Sequence, residues 1–274
     1  MSRQKKIAVI QDLSGYGRCS MTVALPVISA MRVQCCPVLT SVFSNHTGYP
    51  QYFFDDYTDR MPAYIEKWKR LGLDFDGIYT GFLGSAEQIR IVGDFIRDFG
   101  GPETTVIIDP VMGDNGKAYI TYTPALCDRM KELAAQADLL TPNVTELCIL
   151  TDTPYGTGRF TGKQYEEMAG KLAAMGPEKI VITGIRQGDF IANGIYQKGR
   201  PFRLCRTRSA GQCRCGTGDL FASIIAADAV NGVDFAVSVK KAAKFVKKCI
   251  IRSQEMEIPL TDGVCFEEFL GQLK

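Results

Sequence analysis

Residues 215–221 read Cys-Gly-Thr-Gly-Asp-Leu-Phe, with two glycines flanking a threonine and an aspartate directly after them. Glycines allow backbone N–H groups to converge on an anion. The helix predicted from 220 to 230 adds unpaired N–H groups and the positive end of its dipole. A carboxylate there suggests that Asp219 takes a proton from a hydroxyl while the backbone holds a phosphoryl group. The alternative is an ordinary helix start, in which Asp219 suits the dipole.

Composition favours one globular domain over residues 1–274, because 46% of the residues are hydrophobic and 23% are charged. The net charge of +2 gives no general attraction to nucleic acid or to a membrane surface. The apolar run at 7–10 is too short for a signal-peptide core or a membrane span. We therefore expect a soluble, cytoplasmic protein with neither nucleic acid nor membrane as a partner.

The ten cysteines are irregularly spaced and form no C-x-x-C pair, so we expect most of them to be reduced and buried. His46 is the single histidine. A multi-histidine zinc site is thereby excluded, and a Ser-His-Asp hydrolase is disfavoured.

Short apolar segments alternate with helical ones along the chain, which predicts an α/β fold with a mainly parallel sheet flanked by helices on both faces. The predicted strands are 5–10, 35–40, 77–80, 104–109, 138–140 and 179–183, with a hairpin at 190–196 and 202–206. The predicted helices are 21–31, 57–71, 85–99, 124–137, 143–150, 164–175, 219–230 and 235–252. Ligands of such sheets bind at the carboxyl ends of the strands.

Acidic and amide side chains follow two of these strands. Asp109 and Asp114 come after one strand, and Asn143 and Glu146 follow the other and share a helical face. Hard acids near a phosphate suggest magnesium, held largely through water and phosphate oxygens. The alternative is that Asp109 and Asn143 are caps and that Glu146 completes a capping box with Asn143.

The loop 44–49, Ser-Asn-His-Thr-Gly-Tyr, is polar and has aromatic neighbours in Phe43, Tyr49 and Tyr52. Such a loop suits a small heteroaromatic ligand, although a turn that satisfies its own backbone has the same composition. The segment 80–87 closes the next strand with two glycines and is typical of a strand-to-helix turn. Ser85 is the expected cap of the helix 85–99, with Gln88 at the third position of a capping box.

Together these motifs resemble the pyridoxal kinases of the ribokinase-like superfamily. The matching segments are 43–49, 81–88, 109–113, 141–143 with 146–147, and 216–219, in the family's order and across nearly the whole chain. The resemblance implies a ribokinase-like fold with a small β-hairpin edge, and ATP-dependent phosphorylation of the 5′-hydroxymethyl group of pyridoxal, pyridoxine or pyridoxamine.

The resemblance also implies roles for single residues. Asp219 would be the base, and Gly216, Thr217 and Gly218 would form the anion hole. The substrate would contact Asp12, Phe43, His46, Thr47, Phe82 and Asp219. ATP would contact Asp109, Asn143, Thr183, Gly184, Gly211, Gly216 and Gly218. Magnesium or a monovalent cation, K⁺ or Na⁺, would lie by Asp114, Thr141 and Glu146. Relatives are commonly homodimers, so we expect a homodimer here.

Three positions depart from the family's pattern. Asp12 stands where the family often has serine near the pyridine nitrogen, and its carboxylate could pair with a protonated ring nitrogen or an amine. Phe82 replaces a common tyrosine. The segment 209–215 is more polar than in relatives, and Arg214 within it is expected to be a solvated loop charge.

Two competing functions stay open from the sequence. Hydroxymethylpyrimidine kinases share the fold, but that family commonly has cysteine at the position of Asp219 and lacks the loop at 44–49. A non-catalytic vitamin-binding protein is the second alternative, and a base beside an anion hole argues against it. A sugar kinase fits less well because the substrate loop is aromatic.

Overall fold

Short apolar segments form the strands and amphipathic segments form the helices in the computed structural model, which describes residues 3–274. The strands are β1 (Lys6–Tyr16), β2 (Gln34–Asn45), β3 (Phe54–Asp56), β4 (Gly77–Thr80), β5 (Thr105–Ile108), β6 (Gly113–Asp114), β7 (Lys117–Ala118), β8 (Leu139–Leu140), β9 (Lys179–Gln187), β10 (Phe190–Gln197) and β11 (Arg203–Arg208). The helices are α1 (Met21–Ala30), α2 (Met61–Arg70), α3 (Ala86–Phe99), α4 (Pro124–Ala134), α5 (Val144–Leu150), α6 (Gly162–Ala173), α7 (Thr217–Val230) and α8 (Phe235–Glu255).

Nine strands form one sheet in the order β11-β10-β9-β8-β5-β4-β1-β2-β3. The strands from β2 to β9 in this order pair in parallel. The hairpin of β10 and β11 continues from β9 in antiparallel fashion, as the sequence predicted. The α/β class and the mainly parallel sheet are therefore confirmed. The antiparallel edge strand β3 and the small β6–β7 hairpin were not predicted.

Helices cover both faces of the sheet, because alternate side chains of the central strands point to opposite sides. Ala8 and Ile10 of β1 pack in a core with residues of α2 to α6, whereas Ile7 and Val9 pack in a second core with residues of α1, α7 and α8. Within residues 3–274, every helix is too short or too polar to cross a membrane.

Three strands extend beyond their predicted ends. β1 continues past its predicted end at residue 10 to Tyr16, with a register shift between Gln11 and Leu13. β2 continues beside it to Asn45, so the first two residues of the loop 44–49 are strand. β9 runs on to Gln187 because β10 pairs with it. These extensions contain polar and glycine residues, which are not typical of a buried strand, so the sequence alone did not predict them.

Candidate active site

The carboxyl ends of the parallel strands open into a cavity of about 1460 Å³. This volume exceeds the roughly 300–1,000 Å³ of a pocket for one drug-sized ligand, so it can hold a nucleotide and part of a second ligand. All residues predicted for catalysis, ATP or metal lie on its wall, namely Asp109, Asp114, Thr141, Asn143, Glu146, Thr183, Gly184, Gly211, Gly216, Thr217, Gly218 and Asp219. The fold brings together side chains that are more than one hundred positions apart in sequence.

The start of α7 has the geometry of an anion site. Gly216 adopts a left-handed conformation with φ +75°, and a Cβ there would lie 1.9 Å from the carbonyl oxygen of Arg18. A Cβ on Gly218 would meet no described atom within 4 Å. The hydroxyl of Thr217 donates to the carbonyl of Arg214 at 3.0 Å and so turns away from this space. Gly216, Thr217 and Gly218 line the cavity, so an oxyanion can approach the first turn of α7.

Asp219 is buried in the first turn of α7. Burial raises its pKa to about 6, and repulsion from Asp12 acts in the same direction. Hydrogen bonds from the backbone of Ser20 and of Asp219 itself oppose that rise by favouring the carboxylate. A carboxyl group with a pKa slightly below neutral is ionised at pH 7 and still basic enough to accept a proton.

A second group of acids lies at the ends of β5 and β8. The hydroxyl of Thr141 donates to Oδ1 of Asp109 at 2.7 Å, and both residues are buried. Burial raises the pKa of Asp109 and of Glu146. Repulsion from Asp219 adds to the rise for Asp109, and repulsion from Asp109 adds to the rise for Glu146. Oxygen-only donors that repel each other suit a hard cation, although residues 3–274 hold no cluster of three histidine, cysteine or acidic side chains close enough to ligate one directly.

The start of α5 carries the capping box that the sequence offered as an alternative. Asn143 Oδ1 accepts from the N–H groups of Thr145 and Glu146, and Glu146 Oε2 accepts from the N–H of Asn143 at 2.7 Å. Glu146 Oε1 accepts from the N–H of Met112 at 3.2 Å. Each carboxylate oxygen keeps a further lone pair, so the capping role and the predicted metal role are compatible.

Asp114 differs from the other predicted metal residues. Its carboxylate is exposed on the β6–β7 turn and accepts hydrogen bonds from the backbone and side chain of Asn115. It therefore lies at the rim of the cavity, while Asp109, Thr141 and Glu146 lie inside.

The residues predicted to contact the substrate lie outside the wall of this cavity, apart from Asp219. Asp12 is buried, and its Oδ2 accepts from the hydroxyl of Ser14 at 3.3 Å. Its charge raises the pKa of Asp219, so the two carboxyl groups are neighbours, and His46 lies near both of them. Among the residues predicted to contact the substrate, Asp12 and His46 therefore lie near Asp219, the predicted base.

The other predicted substrate residues have protein partners. Phe43 packs against Phe54 with ring centroids 4.7 Å apart, and Phe82 contacts the edge of Tyr122 at 6.2 Å. His46 uses both ring nitrogens: Nε2 donates to the carbonyl of Thr261 at 2.7 Å, and Nδ1 accepts from the N–H of Gly48 at 3.1 Å. These hydrogen bonds hold the loop, and contact of His46 with the substrate stays a prediction. Thr47 is exposed.

Sequence reasoning misassigned Arg214 and missed Ser20. Arg214 is only 7% exposed, so the expected solvated loop charge is wrong. Its guanidinium donates to the carbonyls of Ile258 and Pro259, more than forty positions away. Ser20 has φ +48°, which is uncommon for a residue with a side chain, and it contacts both Asp12 and Asp219. A single sequence carries no local signal for either arrangement.

Basic side chains lie on the outer part of the cavity wall, namely Arg159, Arg186, Arg208 and Lys247. Across residues 3–274, none of these four forms an ion pair with an acidic side chain. Unpaired cations around a cavity attract a polyanionic ligand.

Known proteins are similar to this chain in sequence. The phosphomethylpyrimidine kinase family profile matches residues 22–261. A thiamine biosynthetic bifunctional enzyme of Arabidopsis thaliana is 29% identical over 91% of this chain, which spans 47% of that enzyme's length. A pyridoxine/pyridoxal/pyridoxamine kinase of Bordetella avium is 28% identical over 89% of this chain and 84% of its own length.

Solved structures share the fold. A Bacteroides thetaiotaomicron protein assigned as a phosphomethylpyrimidine kinase, in a crystal form with pyridoxal, is 37% identical with a TM-score of 0.94 over 99% of this chain and 96% of its own. The pyridoxal kinase of Lactobacillus plantarum is 26% identical with a TM-score of 0.91 over 98% and 96%. The ribokinase-like fold is therefore confirmed, and the chain belongs to the phosphomethylpyrimidine kinase family, with pyridoxal kinases among its relatives in sequence and structure.

Proposed function

We propose that this protein transfers the γ-phosphoryl group of ATP to the 5′-hydroxymethyl group of a vitamin B6 vitamer, giving pyridoxal 5′-phosphate or its pyridoxine or pyridoxamine counterpart. The observation that carries the proposal is the buried Asp219 beside the cavity-lining turn at the start of α7. A binding protein gains nothing from a base with a raised pKa next to an anion site. The Bacteroides relative with pyridoxal supports the choice of ring.

In this reaction Asp219 accepts the proton of the substrate hydroxyl as its oxygen attacks the γ-phosphorus. The bond between the γ-phosphorus and the β,γ-bridging oxygen breaks, and ADP leaves. The amides of residues 216–218 stabilise the charge on the transferring group, for which positioning and neutralisation are the main demands. The space beside Gly218 gives that group room.

The nucleotide would occupy the large cavity, with its phosphates near Asp109 and Asn143 and its base near Thr183, Gly184 and the β10–β11 hairpin. Asp109, Thr141 and Glu146 would hold Mg²⁺ directly or through water, with Asp114 at the rim. The cation would neutralise phosphate charge. A monovalent cation, K⁺ or Na⁺, stays a prediction, as do the single domain, the homodimer and the cytoplasmic location.

Asp12 would face the substrate ring, because it lies next to the base and is held by Ser14 and Ser20. A carboxylate pairs with a protonated ring nitrogen or with the amine of pyridoxamine. We expect Asp12→Ser to lower the preference for pyridoxamine over pyridoxine by about tenfold, the order of one charged hydrogen bond. Unchanged relative kcat/KM values would contradict this role.

Hydroxymethylpyrimidine phosphorylation is the second candidate function. The family description and the Arabidopsis thiamine enzyme favour it. Its substrate also presents a hydroxymethyl group on an amino-bearing ring, so the same base and anion hole would serve.

The deciding experiment incubates the protein with MgATP and, separately, pyridoxal, pyridoxine, pyridoxamine and hydroxymethylpyrimidine, with product detected by mass spectrometry. Turnover of a vitamer by the wild type, and a loss of about 10²–10⁴-fold in Asp219→Asn, supports the kinase. Product from the pyrimidine alone supports the second function. Binding without any product supports a non-catalytic protein.

A further inference from the structure

The segment 258–263, which we call the strap, follows α8. It contacts both the substrate loop and the chain just before the anion hole. It contains a short 3₁₀ turn at Leu260–Asp262, and Gly263 follows with φ +83°. A Cβ on Gly263 would lie 2.9 Å from Arg18 and 3.1 Å from the carbonyl oxygen of Cys215. The strap therefore touches the chain just before the anion hole.

One side of the strap holds the substrate loop. The hydroxyl of Tyr49 donates to Oδ1 of Asp262 at 2.7 Å, and the hydroxyl of Tyr16 donates to Oδ2 at 3.0 Å. The ring of His46 donates to the carbonyl of Thr261 at 2.7 Å. Both oxygens of one carboxylate thus join the end of β1 to the loop that follows β2.

The other side of the strap is fixed by two arginines. Arg214 donates to the carbonyls of Ile258 at 2.7 Å and Pro259 at 3.2 Å. Arg18 donates to the carbonyl of Asp262 at 3.2 Å and pairs with Glu267. Asp262 is therefore held from behind while its side chain holds the loop in front.

We propose that Asp262 is a positioning residue that sets the substrate loop relative to Asp219, so that its loss weakens binding of the phosphoryl acceptor and leaves ATP binding unchanged. The inference rests on the proposed kinase function. It follows from the contacts, because the carboxylate of Asp262 holds the acceptor side of the site through Tyr16 and Tyr49.

The test compares Asp262→Asn, Tyr49→Phe and the double variant. Asparagine keeps one acceptor oxygen and has an NH₂ donor in place of the other, so only one tyrosine can still donate to this side chain and the charge is lost. The matched controls are Asp94→Asn and Tyr64→Phe, which alter an exposed ion pair on α3 and an exposed hydrogen bond to Pro37. Steady-state kinetics use whichever of the three vitamers or hydroxymethylpyrimidine the wild type phosphorylates, and hydrogen exchange of residues 44–53 is measured without substrate.

We expect Asp262→Asn to raise KM for the acceptor about tenfold and to speed exchange in 44–53, while kcat and KM for ATP stay within about twofold. The effect of the double variant should be smaller than the two single effects combined, because the bond between Tyr49 and Asp262 is common to both changes. The controls should match the wild type in both readouts.

Unchanged KM and exchange would overturn the proposal. Equal losses in kcat and in both KM values, with a lowered Tm, would also overturn it by showing a merely structural role. If the wild type phosphorylates none of the four compounds, the kinase proposal fails, and exchange in 44–53 alone decides whether Asp262 orders the loop.

Discussion

At the scale of single residues, two neighbouring glycines have different reasons to be glycine. Gly216 is constrained by its left-handed backbone and by the Arg18 carbonyl, whereas Gly218 has free space around it inside a helical turn. The first is required by the fold, and the second leaves room for a ligand. The same motif thus contains one structural and one functional requirement.

This contrast predicts opposite behaviour of two alanine variants. Gly216→Ala should destabilise the protein by about 1–3 kcal/mol, the cost of a strained backbone with a clash. Gly218→Ala should fold with equal or slightly higher stability, because alanine favours a helix, and it should lose most phosphoryl transfer as its methyl fills the anion space. Denaturant unfolding and turnover measure both. An active Gly218→Ala would contradict the assigned anion site.

Asp219 predicts the acid limb of the pH profile. With a pKa of about 6, its ionised fraction falls roughly tenfold between pH 7 and pH 5. Wild-type kcat/KM should therefore fall about tenfold over this range, with circular dichroism at pH 5 confirming that the fold is intact. A flat profile from pH 7 to pH 5 would argue against Asp219 as the base.

At the scale of elements, the first turn of α3 has two roles: it is capped by Ser85, and its Gln88 side chain holds β2 against the helix. Ser85 caps α3 by accepting from the N–H of Gln88, as predicted. The Gln88 side chain does not complete the expected box: it accepts from the N–H of Gly84 and donates to the carbonyl of Thr40 and the hydroxyl of Thr58. It is 2% exposed, so these partners are shielded from water.

Removal of these bonds should be costly. We expect Gln88→Ala to destabilise the protein by about 1–3 kcal/mol, since it leaves buried backbone groups without partners. Ser85→Ala, the matched change at the same helix start, should cost about 1 kcal/mol. Chemical denaturation of both variants provides the comparison, and an equal or smaller loss in Gln88→Ala would show that water replaces its contacts.

The sequence was informative where neighbours in the chain are also neighbours in space. Asp219, Asn143 and Ser85 all mark helix starts, and local motifs predicted each of them. His46 and Arg214 could not be assigned in this way, because their partners lie in the strap, more than two hundred and more than forty positions away. The length of β1 was underestimated for a similar reason, since only pairing with β2 keeps its polar end extended.

At the scale of the whole molecule, the site reduces the stability of the fold that supports it. Asp109, Glu146 and Asp219 are buried acids whose pKa values are raised. In each case the folded state favours the neutral form more than the unfolded chain does. Ionisation therefore lowers the free energy of unfolding as pH rises from the unfolded pKa, near 4, through the folded value.

Asp219→Asn isolates one such contribution. The unfolding free energy of this variant should equal that of the wild type below pH 4 and should exceed it by about 3 kcal/mol at pH 7. This difference corresponds to the rise in the pKa of Asp219 from 3.8 to about 6. Urea titrations of both proteins at several pH values measure this difference. A gap that is constant with pH would show that the carboxyl group titrates normally.

The strap follows the strands of the sheet and the helices α1 to α8 in the chain, because α8 ends at Glu255. Synthesis runs from the N-terminus, so these elements leave the ribosome before the strap does. The substrate loop and Arg214 therefore emerge before the carbonyl and carboxylate groups that hold them. The nascent chain can thus form most of its core before its acceptor site is ordered.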